Sequence, residues 1–117
     1  MRIPYYQVDA FTDHVFSGNP AGVCLLPGWL PDPVLKRIAG ENNLSETAFV
    51  VPRGEEWELR WFTPTVEVDL CGHATLAAAH VLFHERKVAV PQIRFHTQGG
   101  VMSATQDSDT VVLDFPA

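Results

Sequence analysis

The sequence predicts an α+β fold in which a curved, barrel-like and mostly antiparallel sheet wraps around one central apolar helix. Three observations carry this. Short alternating or apolar stretches bounded by Gly, Pro, Asn and Asp outnumber the helical ones. The stretch "HATLAAAHVLFHER", His73 to Arg86, carries alanine and leucine on nearly every side, and a helix without a clear polar face is normally surrounded by protein. With 117 residues the chain can bury one core of ordinary proportions but not two.

Taken in order, Tyr5 to Phe11 alternates as a strand, and "FSGNPAG" follows as a turn rich in turn formers. A second strand, "AGVCLL", ends at Pro27-Gly28. The segment "LPDPVLKRIAGENNLS" then reads as a short amphipathic helix. Asp32 is its expected N-cap, Pro33 its first residue, and Val34, Leu35, Ile38 and Ala39 its apolar face. "SETAFVV", "EWELRWFT" and "VEVDL" read as three strands, separated by Pro52-Arg53-Gly54 and by Thr63-Pro64-Thr65. After the apolar helix, "QIRFHT", "VMSAT" and "TVVLDF" form a meander with turns at Gly99-Gly100 and Asp107 to Asp109. No internal repeat, low-complexity tract or linker interrupts this order.

Composition narrows the function classes. Apolar residues make up 46% and charged residues 19%, a globular balance rather than a disordered one. A net charge of -6 with only eight Lys and Arg, and no basic cluster, argues against a nucleic-acid partner. An anionic substrate stays possible, because a helix end can hold one without net positive charge. Cys24 and Cys71 lie in neither a CxxC nor a zinc spacing, so reduced thiols and a cytoplasmic location are expected. No segment approaches the roughly 18 apolar residues of a membrane span, and no glycine pattern for a nucleotide is present, so no membrane and no cofactor are expected.

Three constellations could carry chemistry. In "CGHAT" a helix beginning near His73 aims its unpaired N–H groups past Gly72, where a ligand carboxylate could approach the backbone closely. Equally, Asp69 or Thr75 could simply finish a buried helix end, with His73 a satisfied core histidine. In "NNLSETAFVV", Ser45 and Glu46 stand at the mouth of an apolar strand. Desolvation there favours a protonated carboxyl, and a glutamate so tuned can take and return a proton. A solvated glutamate at a loop edge fits the same pattern. In "SGNPAG", Asn19 either holds its own turn or reaches a ligand. His80 and His84 have the spacing of metal ligands, but no carboxylate or cysteine nearby in sequence completes a set, and no metal is expected. Cys71 and Cys24 read as buried thiols.

Together, "VDAFTDHVFSGNPAGV", "IAGENNLSETAFVV", "LRWFTPTVEVDLCGHATLAAAHVL" and "TQGGV" with "VVLDFPA" resemble the amino-terminal half of the phenazine-biosynthesis isomerase (PhzF-like) family, along essentially the whole chain and in order. The resemblance implies one lobe of a diaminopimelate-epimerase-like fold and a cofactor-independent isomerase that shifts a proton on a small carboxylate-bearing substrate. It makes Glu46 the proton-shuttling acid/base. Gly72 and His73 become the helix-end group that holds the substrate anion, with His73 at the reacting centre, and Asn19 and Ser45 line the cleft. Related epimerases use a pair of cysteines, whereas the PhzF-like branch uses the glutamate, so Cys71 is not read as a base. Family members are about twice as long, with the site between two similar lobes. Residues 1–117 therefore read as the first lobe alone, with the second absent: a fragment or truncated product, or a lobe completed by a homodimer or by a separate complementing lobe. The competing expectation is an inert lobe serving as a dimerisation or interaction module.

Overall fold

The computed structural model describes residues 3–8, 21–42, 46–68, 72–107 and 110–114. Among them the chain runs β1 (Tyr5–Val8), β2 (Ala21–Leu25), α1 (Asp32–Asn42), β3 (Glu46–Arg53), β4 (Glu56–Phe62), β5 (Glu67–Val68), α2 (Gly72–His80), β6 (Gln92–Thr97), β7 (Gly100–Asp107) and β8 (Thr110–Asp114). The strands form one sheet in the order β1-β2-β3-β4-β6-β7-β8, with β5 beside β6 on the same flank of β4. No helix among the described residues is long and apolar enough to cross a membrane.

Most neighbours are antiparallel, as expected, but β2 with β3 and β4 with β6 are parallel. Each parallel pair is joined through a helix, α1 in the first case and α2 in the second, because parallel neighbours need a long crossover whereas hairpins return antiparallel. The two helices cover opposite faces of the sheet.

Strand alternation sorts the side chains between those faces. Val23, Ala48, Val50, Leu59, Trp61, Ile93, Phe95, Met102 and Ala104 face inward and bury α2, whose Ala74, Ala77, Ala78 and Ala79 are all at most 1% exposed. Helix α2 is thus buried along most of its surface, as its sequence predicts, with a partly exposed stripe through His73, Leu76 and His80. Cys24, Leu26, Phe49, Val51 and Phe62 face outward and form a second core under Leu35 and Ala39 of α1. There Phe49 and Phe62 meet edge to face, with centroids 5.4 Å apart. Such a pair contributes about 0.5–1.5 kcal/mol beyond the area it buries.

Several local expectations shift. The N–H groups of Val34 and Leu35 both bond to the Pro31 carbonyl, at 2.9 and 3.2 Å, so Pro31 rather than Asp32 flanks α1. The Asp32 carboxylate is engaged by Arg60 instead, at 3.1 Å. Val34 is 40% exposed and does not belong to the buried stripe, which centres on Leu35 and Ala39 with Ile38 partly covered. The long helix does not stay α-helical to Arg86. After His80 it widens into a π-helical turn over Val81–Glu85, in which the Arg86 N–H bonds to the Val81 carbonyl at 2.9 Å. Lys87, at φ 52°, closes it. The wider turn accommodates three successive buried side chains, Val81, Leu82 and Phe83. Pro52 and Arg53 lie within β3, and the hairpin reverses at Gly54, whose φ of 62° suits a residue without Cβ.

Candidate active site

Glu46 is the first residue of β3 and shares the inward face with Ala48 and Val50, two and four residues on. Its carboxylate therefore enters the groove occupied by α2. That helix begins at Gly72, so His73 lies in its first turn, and the His73 Nε2 stands 2.7 Å from Glu46 Oε2. Sequence reasoning put forward these two residues separately, 27 positions apart, and the fold joins them. An ionised carboxylate can only accept, so with Glu46 charged the proton of this contact sits on Nε2. The positive end of the α2 dipole lies on the same side and favours negative charge there. Both side chains keep a path to solvent, Glu46 at 19% exposure and His73 at 29%.

Two further hydrogen bonds lie close to the pair in sequence. Trp61 of β4 donates its indole N–H to Thr75 Oγ1 at 2.9 Å, with Trp61 2% and Thr75 0% exposed. Next to Glu46, the buried Thr47 hydroxyl accepts from the Asn42 amide at 3.4 Å, tying the end of α1 to the start of β3. Sequence reasoning missed both contacts. A threonine in the first turn of a helix reads as a possible end group, and nothing local points to an indole in β4.

Gly72 is the opening residue of α2, immediately before His73, in the position expected of it. Asn19, Ser45 and Cys71 lie outside the described residues. Cys24 faces the outer core, away from Glu46. Burial pushes its thiol up to about 12, with a smaller opposing effect from a hydrogen bond to Asn42. His80 and His84 stack with ring centroids 4.4 Å apart, and His84 Nε2 lies 3.4 Å from the Gln106 amide. His80 is roughly 10 Å along the helix from His73 at 1.5 Å per residue, so the three histidines do not converge. Among the described residues no group of three His, Cys, Asp or Glu side chains could hold a metal ion.

On the outer face Arg60 grips Glu67 through two bonds of 2.8 Å and reaches Asp32, and it lies over the rings of Trp29 and Phe62 at 5.3 and 5.2 Å. These partners hold its guanidinium above the usual arginine range. This cluster clamps β5 and α1 to β4 on the side of the sheet away from Glu46.

The family model described as phenazine biosynthesis-like protein matches residues 8–116. An uncharacterized isomerase of Pseudomonas aeruginosa is 57% identical over 117 residues, which are all of this chain and 45% of that protein. The crystal structure of a PhzF-family phenazine biosynthesis protein from Enterococcus faecalis superposes with a TM-score of 0.89 at 53% identity, over 95% of this chain and 43% of that one. A predicted epimerase of Pseudomonas aeruginosa shares the fold, with a TM-score of 0.75 at 23% identity over 95% of this chain and 41% of that one. The chain thus spans less than half the length of these relatives.

Proposed function

The chain belongs to the phenazine biosynthesis-like (PhzC-PhzF) family, and from that premise we propose that it is the proton-transferring lobe of an isomerase acting on a small carboxylate-bearing substrate. The observation that carries this reading is the 2.7 Å contact between Glu46 and His73 at the open end of a buried helix. The ionised Glu46 carboxylate removes a proton from a carbon next to an unsaturated or carboxylate-bearing group. A C–H bond breaks, an O–H bond forms, and the electron pair spreads into the adjoining unsaturated system. The same carboxyl then returns the proton to a different carbon, so the reaction consumes no oxidant or reductant.

His73 donates from Nε2 and fixes the carboxylate's orientation, while the first N–H groups of α2 beyond Gly72 draw the substrate's anionic group to the helix end. Asn19 and Ser45 complete the cleft wall. A second lobe or a second copy faces the pair and supplies the rest of the charge stabilisation. That proposal is supported by the partial exposure of both side chains and by the greater length of the relatives.

The test is incorporation of solvent deuterium into a panel of small unsaturated carboxylates, followed by NMR across a range of chain concentrations. Glu46→Gln should lower incorporation by about 10²–10⁴-fold, the usual contribution of a general acid–base group, while the substrate still binds by calorimetry. Undiminished incorporation in Glu46→Gln would remove Glu46 from the mechanism. A wild-type chain that neither binds nor exchanges any of the panel at any concentration would favour the inert interaction module.

A further inference from the structure

We propose that the buried hydrogen bond between Thr75 and Trp61 sets the rotation and height of the first turn of α2, and so holds the His73 imidazole against Glu46. Thr75 and Trp61 are then positioning residues.

The first two turns of α2 are lined mostly by alanine. Apart from Thr75, the buried residues of α2 are Ala74, Ala77, Ala78 and Ala79. Alanine has no side-chain rotamer and no projecting shape to lock into a neighbour, and the hydrophobic effect that buries it is non-directional. The larger buried side chains, Val81, Leu82 and Phe83, lie at the far end in the π-helical turn, so the alanine-lined first turns are held in the groove with little of their own to fix rotation or height. The Trp61 indole N–H to Thr75 Oγ1 bond is directional, 2.9 Å long, and shielded from solvent at both ends. Breaking it would leave a buried donor without a partner, a penalty of about 1–3 kcal/mol that makes one helix setting preferred over its neighbours.

The anchor is close to what it positions. Thr75 is two residues beyond His73 and about 200° further round the helix axis, so the two contacts fix different sides of one turn. On the sheet side, Trp61 lies directly across from Ala48, which is two residues from Glu46 on the same inward face. The anchor and the carboxylate therefore stand on adjacent, hydrogen-bonded strands. A slip of one helix residue would move His73 by roughly 1.5 Å, enough to break a 2.7 Å contact.

The catalytic consequence rests on the proposed roles of Glu46 and His73, so the test reads position and catalysis separately. Position is read on the chain itself by ¹⁵N NMR of labelled histidines at pH 8, with His73 assigned by its absence in His73→Asn. The wild type should show an imidazole protonated at Nε2. Thr75→Val keeps the shape and removes the acceptor. It should replace that signature by mixed tautomers and lower deuterium incorporation about tenfold to a hundredfold through kcat with little change in KM, the cost of a misplaced reacting group. Thr75→Ser should restore both. Trp61→Phe, which removes the donor instead, should give the same loss, and the double variant should be no worse than either single one.

A Thr75→Val chain with the His73 signature intact would overturn the proposal, whatever its melting temperature. So would the same loss of signature in Leu35→Ala, which empties the outer core without touching α2. If the wild type shows the Nε2 signature and exchanges no substrate hydrogen, the functional reading fails while the positional one is decided by the variants.

Discussion

Cys24 and Glu46 sit on neighbouring paired strands and meet opposite fates because strand alternation sends one to the outer core and the other to the helix groove. The buried thiol, raised to about 12, is almost entirely protonated at pH 8, and the thiolate is the reactive form. Peptide-level mass spectrometry after iodoacetamide treatment should therefore find Cys24 unmodified in the folded chain and modified once the chain is unfolded in guanidinium. Rapid labelling under native conditions would contradict the burial. At this scale the sequence was informative where a residue broke its local pattern. A charge at the mouth of "TAFVV" and a histidine at the head of an alanine-rich helix stood out, and both belong to the pair. Thr75 did not stand out, since the meaning of a first-turn threonine depends on what lies across the groove, and Trp61 is distant in sequence.

For the elements, hydrophobic period fixed type and order but not ends or partners. The helix α1 began one residue earlier than its capping signal implied, and α2 gave way to a π-helical turn, because both boundaries are decided by tertiary contacts. The parallel pairs were in principle readable: each has a strand, a helix and a strand in succession, the arrangement that brings parallel strands together. The end of α2 carries a prediction of its own. Burial, and then the neighbouring His84, lower the proton affinity of His80, against a weaker opposite pull from Glu85. The unfolded chain then binds a proton at His80 near the ordinary histidine value of about 6.5, where the folded chain does not. Stability is fully present above that value and declines as pH falls through the window below it. Melting temperature should be level from pH 8 to 7 and fall toward pH 5.5. His84→Gln should show a shallower fall, since the like charge is gone. A melting temperature that stays level down to pH 5.5 would rule out His80 as the source, and superimposable profiles for the two proteins would remove the share assigned to His84.

At the level of the whole molecule, the sheet curls around α2 without closing among the described residues. Its two end strands, β1 and β8, both lay side chains on the inner core: Tyr6 and Val8 from one, Val111 and Leu113 from the other. Among the described residues each is paired on a single side, whereas β3 is bonded along most of its length to β4 and over most of it to β2, with a core on either face. Local opening free energy follows burial and pairing, so protection should be graded across the sheet. Hydrogen exchange followed by mass spectrometry should find the slowest amides in β3 and β4 and markedly faster ones in β1 and in β8, where Val112 is 48% exposed. Glu46 is then presented by the most persistent strand and His73 by the enclosed helix, so the pair keeps its geometry while the open edges fluctuate. If β8 proved as protected as β4, the sheet would be closed or covered in solution. Sedimentation at the same concentration would then tell whether a second copy covers the curled edge.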